Sequence, residues 1–208
     1  MADLIFYTNP MSRGQTVRWM LEEVGQPYDT EILDYATTMK TEPYLWVNPM
    51  GKVPAIRHKG RVVTEVAAIC CYLADAFPDA GLAPEPKDRA DYYRWIFFTS
   101  GPVEAAFSNK SAGWEPTPEK QRMFGYGNYD LAIATLEKAL TGREYIASDR
   151  FTAADLFVGA NVNFMLQFSL LEPRPVFTDY AARMTDRDAY RRAKEIDSRL
   201  ISEIQAAG

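Results

Sequence analysis

Hydrophobic positions come in short clusters over the first third of the chain. Leu4–Tyr7 is a four-residue apolar run, the length of a buried strand. Val17, Met20, Leu21 and Val24 then recur at helical spacing and meet Gly25, a C-terminal stop signal. Arg18 and Glu22 are expected as an i, i+4 pair on the outer face of that helix. Residues 28–34 alternate loosely after Pro27 and predict a second strand. Residues 38–47 carry a weaker helical pattern that must end before Pro49. Residues 53–57 and 61–63 flank Lys59-Gly60 as the two arms of a hairpin. Val66, Ile69, Cys70, Leu73 and Phe77 mark an amphipathic helix.

The predicted order is strand, helix, strand, helix, strand, strand, helix. Two strands separated by a helix run parallel, whereas a hairpin is antiparallel, so an α/β layer of about 80 residues follows. Residues 78–87 hold three prolines and a glycine and read as a semi-rigid linker. Beyond it the period is helical throughout. Long helices are expected over 88–107, 118–140 and 152–168, and shorter ones over 176–184 and 188–206. The expected organisation is an α/β domain (1–78), a linker (79–87) and an all-helical domain (88–208).

Composition narrows the function classes. The chain has 208 residues, 47% hydrophobic and 25% charged, which suits a globular protein with a real core. A net charge of −5 without a Lys/Arg block argues against a nucleic-acid or anionic-membrane partner. No apolar run approaches the roughly 20 residues of a membrane span, and the Met-Ala-Asp-Leu start has no signal core, so a cytoplasmic protein is expected. One histidine and two adjacent cysteines cannot supply a four-ligand zinc site or a Cys-x-x-Cys pair. His58, beside the Lys59-Gly60 turn, is expected to be solvated. Cys70 belongs to the apolar stripe and is expected to be buried.

The loop Asn48-Pro49-Met50-Gly51-Lys52-Val53-Pro54-Ala55 carries the most chemistry. Pro54 opens an apolar strand, where its missing N–H would waste a ladder bond. A cis Val53-Pro54 bond would turn the backbone of Val53 outward, where a peptide-like ligand could pair with it as with an edge strand. From this stretch alone, a trans proline at a strand start is the commoner case.

This loop, followed by Thr64-Glu65-Val66-Ala67-Ala68-Ile69 at a helix start, resembles the glutathione transferase family, and its bacterial members in particular. The resemblance covers the whole chain. It implies a thioredoxin-like N-terminal domain, a proline-bearing linker and an all-α C-terminal domain. It also implies a cis Pro54, with the Val53 backbone holding the cysteinyl part of glutathione. Lys52 matches the position that meets the glycyl carboxylate, a fixed charge that a cation suits. Glu65 matches the acidic residue near the γ-glutamyl group; a carboxylate at a helix N-terminus is also favourable without a ligand. The next family position is usually serine, and here it is Val66. The backbone N–H of Val66 could still bind the γ-glutamyl carboxylate, one hydrogen bond short. Thr152 and Asp155 form a capping box, with Phe151 and Leu156 as its hydrophobic staple, a structural feature the family shares.

Glutathione chemistry needs a thiolate, which a hydrogen-bond donor at the sulfur stabilises. Ser12, at the junction of the first strand and first helix, matches the activating residue of serine-type transferases. Ser12-Arg13-Gly14-Gln15 is equally a Ser-x-x-Gln capping box, which needs no ligand. Tyr7 matches the strand-end tyrosine of the tyrosine-type classes. Arg13 falls where some of those classes keep an arginine near the thiolate. Tyr92, Trp95, Phe98, Phe107 and Trp114 are possible apolar wall residues for a second substrate, although aromatics at helical spacing are mostly core.

The resemblance thus implies a transferase that joins reduced glutathione, its co-substrate, to a small apolar electrophile, working as a homodimer without a metal. Two other readings use the same residues: a non-catalytic ligand-binding or interaction module, and a glutathione-dependent isomerase or peroxidase.

Overall fold

The computed structural model describes residues 2–207, the last by its backbone alone. Met1 and Gly208, the outer ends of the two expected domains, lie outside the described residues. Packing divides the chain into two compact units. One runs through Leu82 and resumes at Arg187; the other is Ala83–Asp186.

The first unit holds a four-stranded sheet: β1 (Leu4–Thr8), β2 (Asp29–Ile32), β3 (Ala55–His58) and β4 (Arg61–Thr64), in the order β2-β1-β3-β4. β1 and β2 are parallel, joined through α1 (Gly14–Val24); β3 pairs antiparallel with both β1 and β4. This is the α/β layer that the alternation predicts, and the thioredoxin-like one that the family resemblance implies. Because side chains alternate across a strand, Phe6, Ile56 and His58 share one face, and Tyr7 and Ala55 the other. Tyr7 packs there with Leu33, Met39, Tyr44 and Ala55. Tyr44 comes from α2 (Tyr44–Val47), a single turn; the weak helical pattern over 38–47 resolves into that turn and a 3₁₀ turn at Thr38–Lys40. The turn at Lys59 and Gly60 is tight, and both residues have positive φ.

α3 (Val66–Ala76) buries Ile69, Cys70, Leu73 and Ala74. Burial also raises the Cys70 thiol pKa, which leaves it inert. His58 is not the solvated turn residue expected. It is 6% exposed, its Nδ1 lies 2.9 Å from the Tyr72 hydroxyl, and its ring meets Phe77 at 5.1 Å. The turn beside it is exposed, but the strand's alternation directs position 58 inward.

α9 (Asp188–Ala207) is the largest departure from the linear division. The sequence groups it with the helical half, whereas it packs on α1 in the first unit. Charged pairs run across that contact. Arg18 is 1% exposed, not on the outer face, and its Nε donates to Asp197 Oδ1 at 2.7 Å. Its Nη1 reaches Tyr28 and Thr30, and the guanidinium lies 5.1 Å from the centre of the Phe6 ring. Glu22 instead accepts from the Tyr28 hydroxyl and from Arg192. Arg187 forms a two-point pair with Glu23, at 2.6 and 2.8 Å. Trp19 stacks edge-on against Tyr190.

The second unit is helical: α4 (Ala90–Phe98), α5 (Glu104–Ser111), α6 (Tyr129–Leu140), α7 (Ala153–Gln167) and α8 (Pro175–Thr185). A π-helical stretch, Thr99–Val103, joins α4 to α5 and contains Pro102, whose missing N–H a wider turn accommodates. The helix expected from residue 118 begins only at Tyr129, because Gly125 and Gly127 interrupt it and Asn128 caps the new start. α7 opens with the predicted capping box. The buried Asp155 accepts from the N–H and hydroxyl of Thr152, from Ile146 N–H and from the Tyr180 hydroxyl. Tyr92, Trp95 and Phe107 are core; Trp114 is 74% exposed. Among the described residues, no helix is long and apolar enough to cross a membrane.

Two measurements check these contacts. Removing one member of a buried ion pair strands the other, so Asp197→Ala should cost about 3–5 kcal/mol in denaturant unfolding. Glu203→Ala, which breaks the exposed Arg199–Glu203 contact, should leave the midpoint unchanged. The second concerns acid. Burial, with help from Lys59 and against Asp3, lowers the His58 pKa below its ordinary value. The unfolded chain therefore takes up this proton first. Stability should be intact above about pH 6.5 and fall as pH drops towards the lowered folded value. His58→Gln should flatten that decline.

Candidate functional site

The strand register decides which loops meet. Tyr7 pairs with Ala55, and Ala55 with Thr64. Thr8 pairs with Ile32. The loop after β1, the segment before β3 and the start of α3 after β4 therefore emerge at one end of the sheet. That end gathers Ser12 and Arg13, Lys52, Val53 and Pro54, and Glu65 and Val66, seven of the eight residues singled out from sequence. Tyr7, the eighth, sits one residue inside the end of β1.

Ser12 lies two residues before α1, half-buried. Its hydroxyl donates to the Asn9 carbonyl at 2.6 Å, and its Oγ accepts from Gly14 N–H at 2.9 Å. It satisfies the first helical N–H from outside the cap position, not through the reciprocal box read from Ser-x-x-Gln. Gln15 Nε2 donates to the Pro10 carbonyl at 2.7 Å, and the Ser12 N–H goes to Asn9 O. With its own backbone donor taken, Ser12 leaves Gln15 nothing to reach back to. An N–H at the positive end of a helix polarises the oxygen it bonds, which makes the Ser12 hydroxyl a stronger donor.

Tyr7 is differently placed. Its ring is 3% exposed and meets Tyr44 at 5.7 Å. Burial raises its phenol pKa, opposed by Arg57 and assisted by Glu31. Arg13 takes the helix-entry position, with α-region backbone angles.

The Val53–Pro54 bond is cis, and Pro54 is buried immediately before the first β3 ladder pair. The Lys52 carbonyl accepts from Asn48 Nδ2 at 2.8 Å and from the Tyr44 hydroxyl. Those bonds fix the backbone and leave the Lys52 side chain exposed. Burial pushes the Tyr44 phenol up to about 12, so it stays a donor. Gly51 has φ +57°, and a Cβ there would fall 2.9 Å from the Met39 carbonyl.

Glu65 precedes α3 with φ +67° and ψ +122°. A non-glycine residue in that region is strained by about 1–3 kcal/mol, and such strain concentrates at ligand sites. The helix start has no side-chain cap. Its first N–H groups keep their hydrogen-bonding capacity for an anion.

Sequence reading missed two contributors. Asn9, buried, ties the loop after β1 to the end of β2; the Asn-Pro dipeptide is a turn signal that could have pointed to it. Lys40 Nζ donates to the Gly51 carbonyl, which brings a second lysine to the Lys52 loop. Nothing in the local pattern marks that contact, because it spans a loop. Among the described residues, no group of three or more His, Cys, Asp or Glu side chains could hold a metal ion.

Comparison with known proteins bears on this geometry. A family model for the glutathione S-transferase N-terminal domain matches residues 11–76. The chain is 29% identical over 159 residues to glutathione S-transferase GST-4.5 of Xanthomonas campestris, across 73% of this chain and 78% of that protein. It is 28% identical over 172 residues to Protein LigF of a Sphingobium species, across 64% of this chain. That match spans 65% of the relative, just under two thirds of its length. A sphingomonad glutathione S-transferase solved in complex with glutathione superposes with a TM-score of 0.75 at 26% identity, covering 93% of this chain and 98% of that one.

The loop geometry has a direct test. A Cβ on Gly14 would lie 2.0 Å from Thr8 Oγ1 and 2.9 Å from Ser12 Oγ. Gly14→Ala should therefore cost about 1–3 kcal/mol through overpacking. Gly101→Ala, whose Cβ would meet nothing within 4 Å, is the control. Equal thermal midpoints for the two variants would refute the close approach.

Proposed function

We propose that this chain, which belongs to the glutathione transferase family, binds reduced glutathione at the end of its sheet and transfers the activated thiol to a small apolar electrophile. The observation that carries this reading is the convergence at one sheet end of a polarised hydroxyl, a cis-proline loop before β3 and an uncapped, strained helix start. A tripeptide thiol needs those three things: a donor at sulfur, backbone to pair with, and a place for its γ-glutamyl carboxylate.

In this reading Val53 offers its backbone to the cysteinyl unit beside Pro54. Lys52 faces the glycyl carboxylate. Glu65 and the N–H of Val66 meet the γ-glutamyl end. Val66 supplies no hydroxyl, and a hydrogen bond to a charged group is worth about 1.5–3 kcal/mol, so affinity should be about one to two decades below that of a serine-bearing site. Ser12 donates to the thiolate, and Arg13 supports it electrostatically. Burial of the Tyr7 ring in the Tyr44 cluster supports Ser12 over Tyr7 as that donor. The active form is a homodimer working in the cytoplasm, and no metal takes part.

A pH titration of bound glutathione by ultraviolet thiolate absorbance tests this. Wild type should show a thiol pKa well below the free-thiol value of about 8.5, and Ser12→Ala should raise it towards that value. Once the pKa exceeds the assay pH, each further unit of rise should cut the thiolate fraction, and conjugation, about tenfold. Tyr7→Phe should keep the low value. Loss in Tyr7→Phe alone would transfer the role to Tyr7. Bound glutathione without a lowered pKa would sink the transferase reading.

A further inference from the structure

The loop that carries Ser12 depends on one buried side chain. Asn9 Nδ2 donates to the Leu33 carbonyl at 2.9 Å, and its Oδ1 accepts from Met11 N–H at 3.0 Å. The parallel ladder explains why a side chain is needed. Leu33 N–H donates to Thr8 O at 2.8 Å, one step beyond the last β1–β2 pair. The chain then turns through Pro10, which has no N–H to continue the ladder. Asn9 completes the pairing with its carboxamide and anchors the loop to the end of β2.

The Asn9 carbonyl has a second task. It accepts from three donors: Ser12 N–H at 3.0 Å, the Ser12 hydroxyl at 2.6 Å and the Thr8 hydroxyl at 3.3 Å. A carbonyl oxygen has two lone pairs, so three donors share them. If the Ser12 proton swings away, two donors remain and the buried carbonyl stays satisfied. Ser12 Oγ meanwhile keeps its bond from Gly14 N–H. The hydroxyl can therefore turn towards a sulfur without leaving a buried acceptor orphaned, a loss that ordinarily costs about 1–3 kcal/mol.

We infer that Asn9 is the positioning residue of the thiolate site: its carboxamide fixes the loop, and its carbonyl accepts the Ser12 hydroxyl hydrogen bond until the glutathione thiolate takes its place as acceptor. This rests on the proposed role of Ser12. Asn9 touches no reacting atom and acts only through Ser12.

The test is a double-mutant cycle on the full-length protein, read by the thiol pKa and the dissociation constant of bound glutathione. Asn9→Ala should raise the thiol pKa by about half a unit to one unit. Its dissociation constant should stay within about threefold, since the carboxylate contacts are untouched. In the Ser12→Ala background the same change should do nothing further, because the group it positions is gone. Asn9→Ser, too short to reach Leu33, gives the same readout if Asn9→Ala does not fold. An unchanged thiol pKa in a folded Asn9 variant overturns the inference. So does an equal shift with and without Ser12, which would mark general loosening of the loop. Failure of the parent reading shows separately: Ser12→Ala alone would then keep the wild-type pKa.

Discussion

Burial of the Arg18 guanidinium is the constraint on which the first unit depends. A guanidinium cannot shed its charge, so an unpaired one in the core would cost several kcal/mol. Asp197 lies 179 residues away and supplies the partner. Burial raises the Asp197 carboxyl pKa, while Arg18 and Lys194 pull it down. Among the described residues, Arg18 Nη2 and Asp197 Oδ2 find no hydrogen-bond partner. The pair thus selects one arrangement of α9 on α1 more than it adds stability, and the Glu23–Arg187 and Trp19–Tyr190 contacts support the same arrangement. α1 is the helix that presents Ser12, so the seating of α9 orients the proposed thiolate donor.

The sheet register does the remaining positioning. Tyr7, Ala55 and Thr64 stand side by side, and three loops leave the sheet together. Each brings a different chemistry. The first carries a hydroxyl polarised by a helix N–H, the second a cis-proline backbone whose Lys52 carbonyl is held by Tyr44 and Asn48, the third an uncapped helix under backbone strain at Glu65. Proteins relax strain and cap helix ends where nothing opposes it, so keeping both at one sheet end supports the proposed glutathione site.

Three local readings changed on folding, each for a stated cause. Arg18 fits an exposed i, i+4 pair by spacing, yet Tyr28, Arg192 and Asp197 compete for the two partners and separate them. His58 sits beside an exposed turn, yet strand alternation carries it under α3. The Ser12–Gln15 box has the right residues, yet Asn9 O already holds the Ser12 N–H. In the first and third cases a different partner displaced the local one; in the second, the alternation of the strand did.

By itself the sequence determined the element order, because period-2 and period-3.6 hydrophobic spacing need no partner to be read. It marked the hairpin at Lys59-Gly60, the capping box at Thr152 and Asp155, and the eight residues now at or beside one sheet end. Local chemistry dictates the hairpin and the capping box, whereas the eight residues are singled out by the resemblance to a known family. The tertiary structure alone decided that α9 belongs with the sheet, that Asn9 and Lys40 serve the site loops, and that Tyr7 is packed away while Ser12 stays half-buried. Those depend on contacts between residues far apart in the chain, and on which acceptor wins each donor, quantities that exist only once the chain has closed on itself.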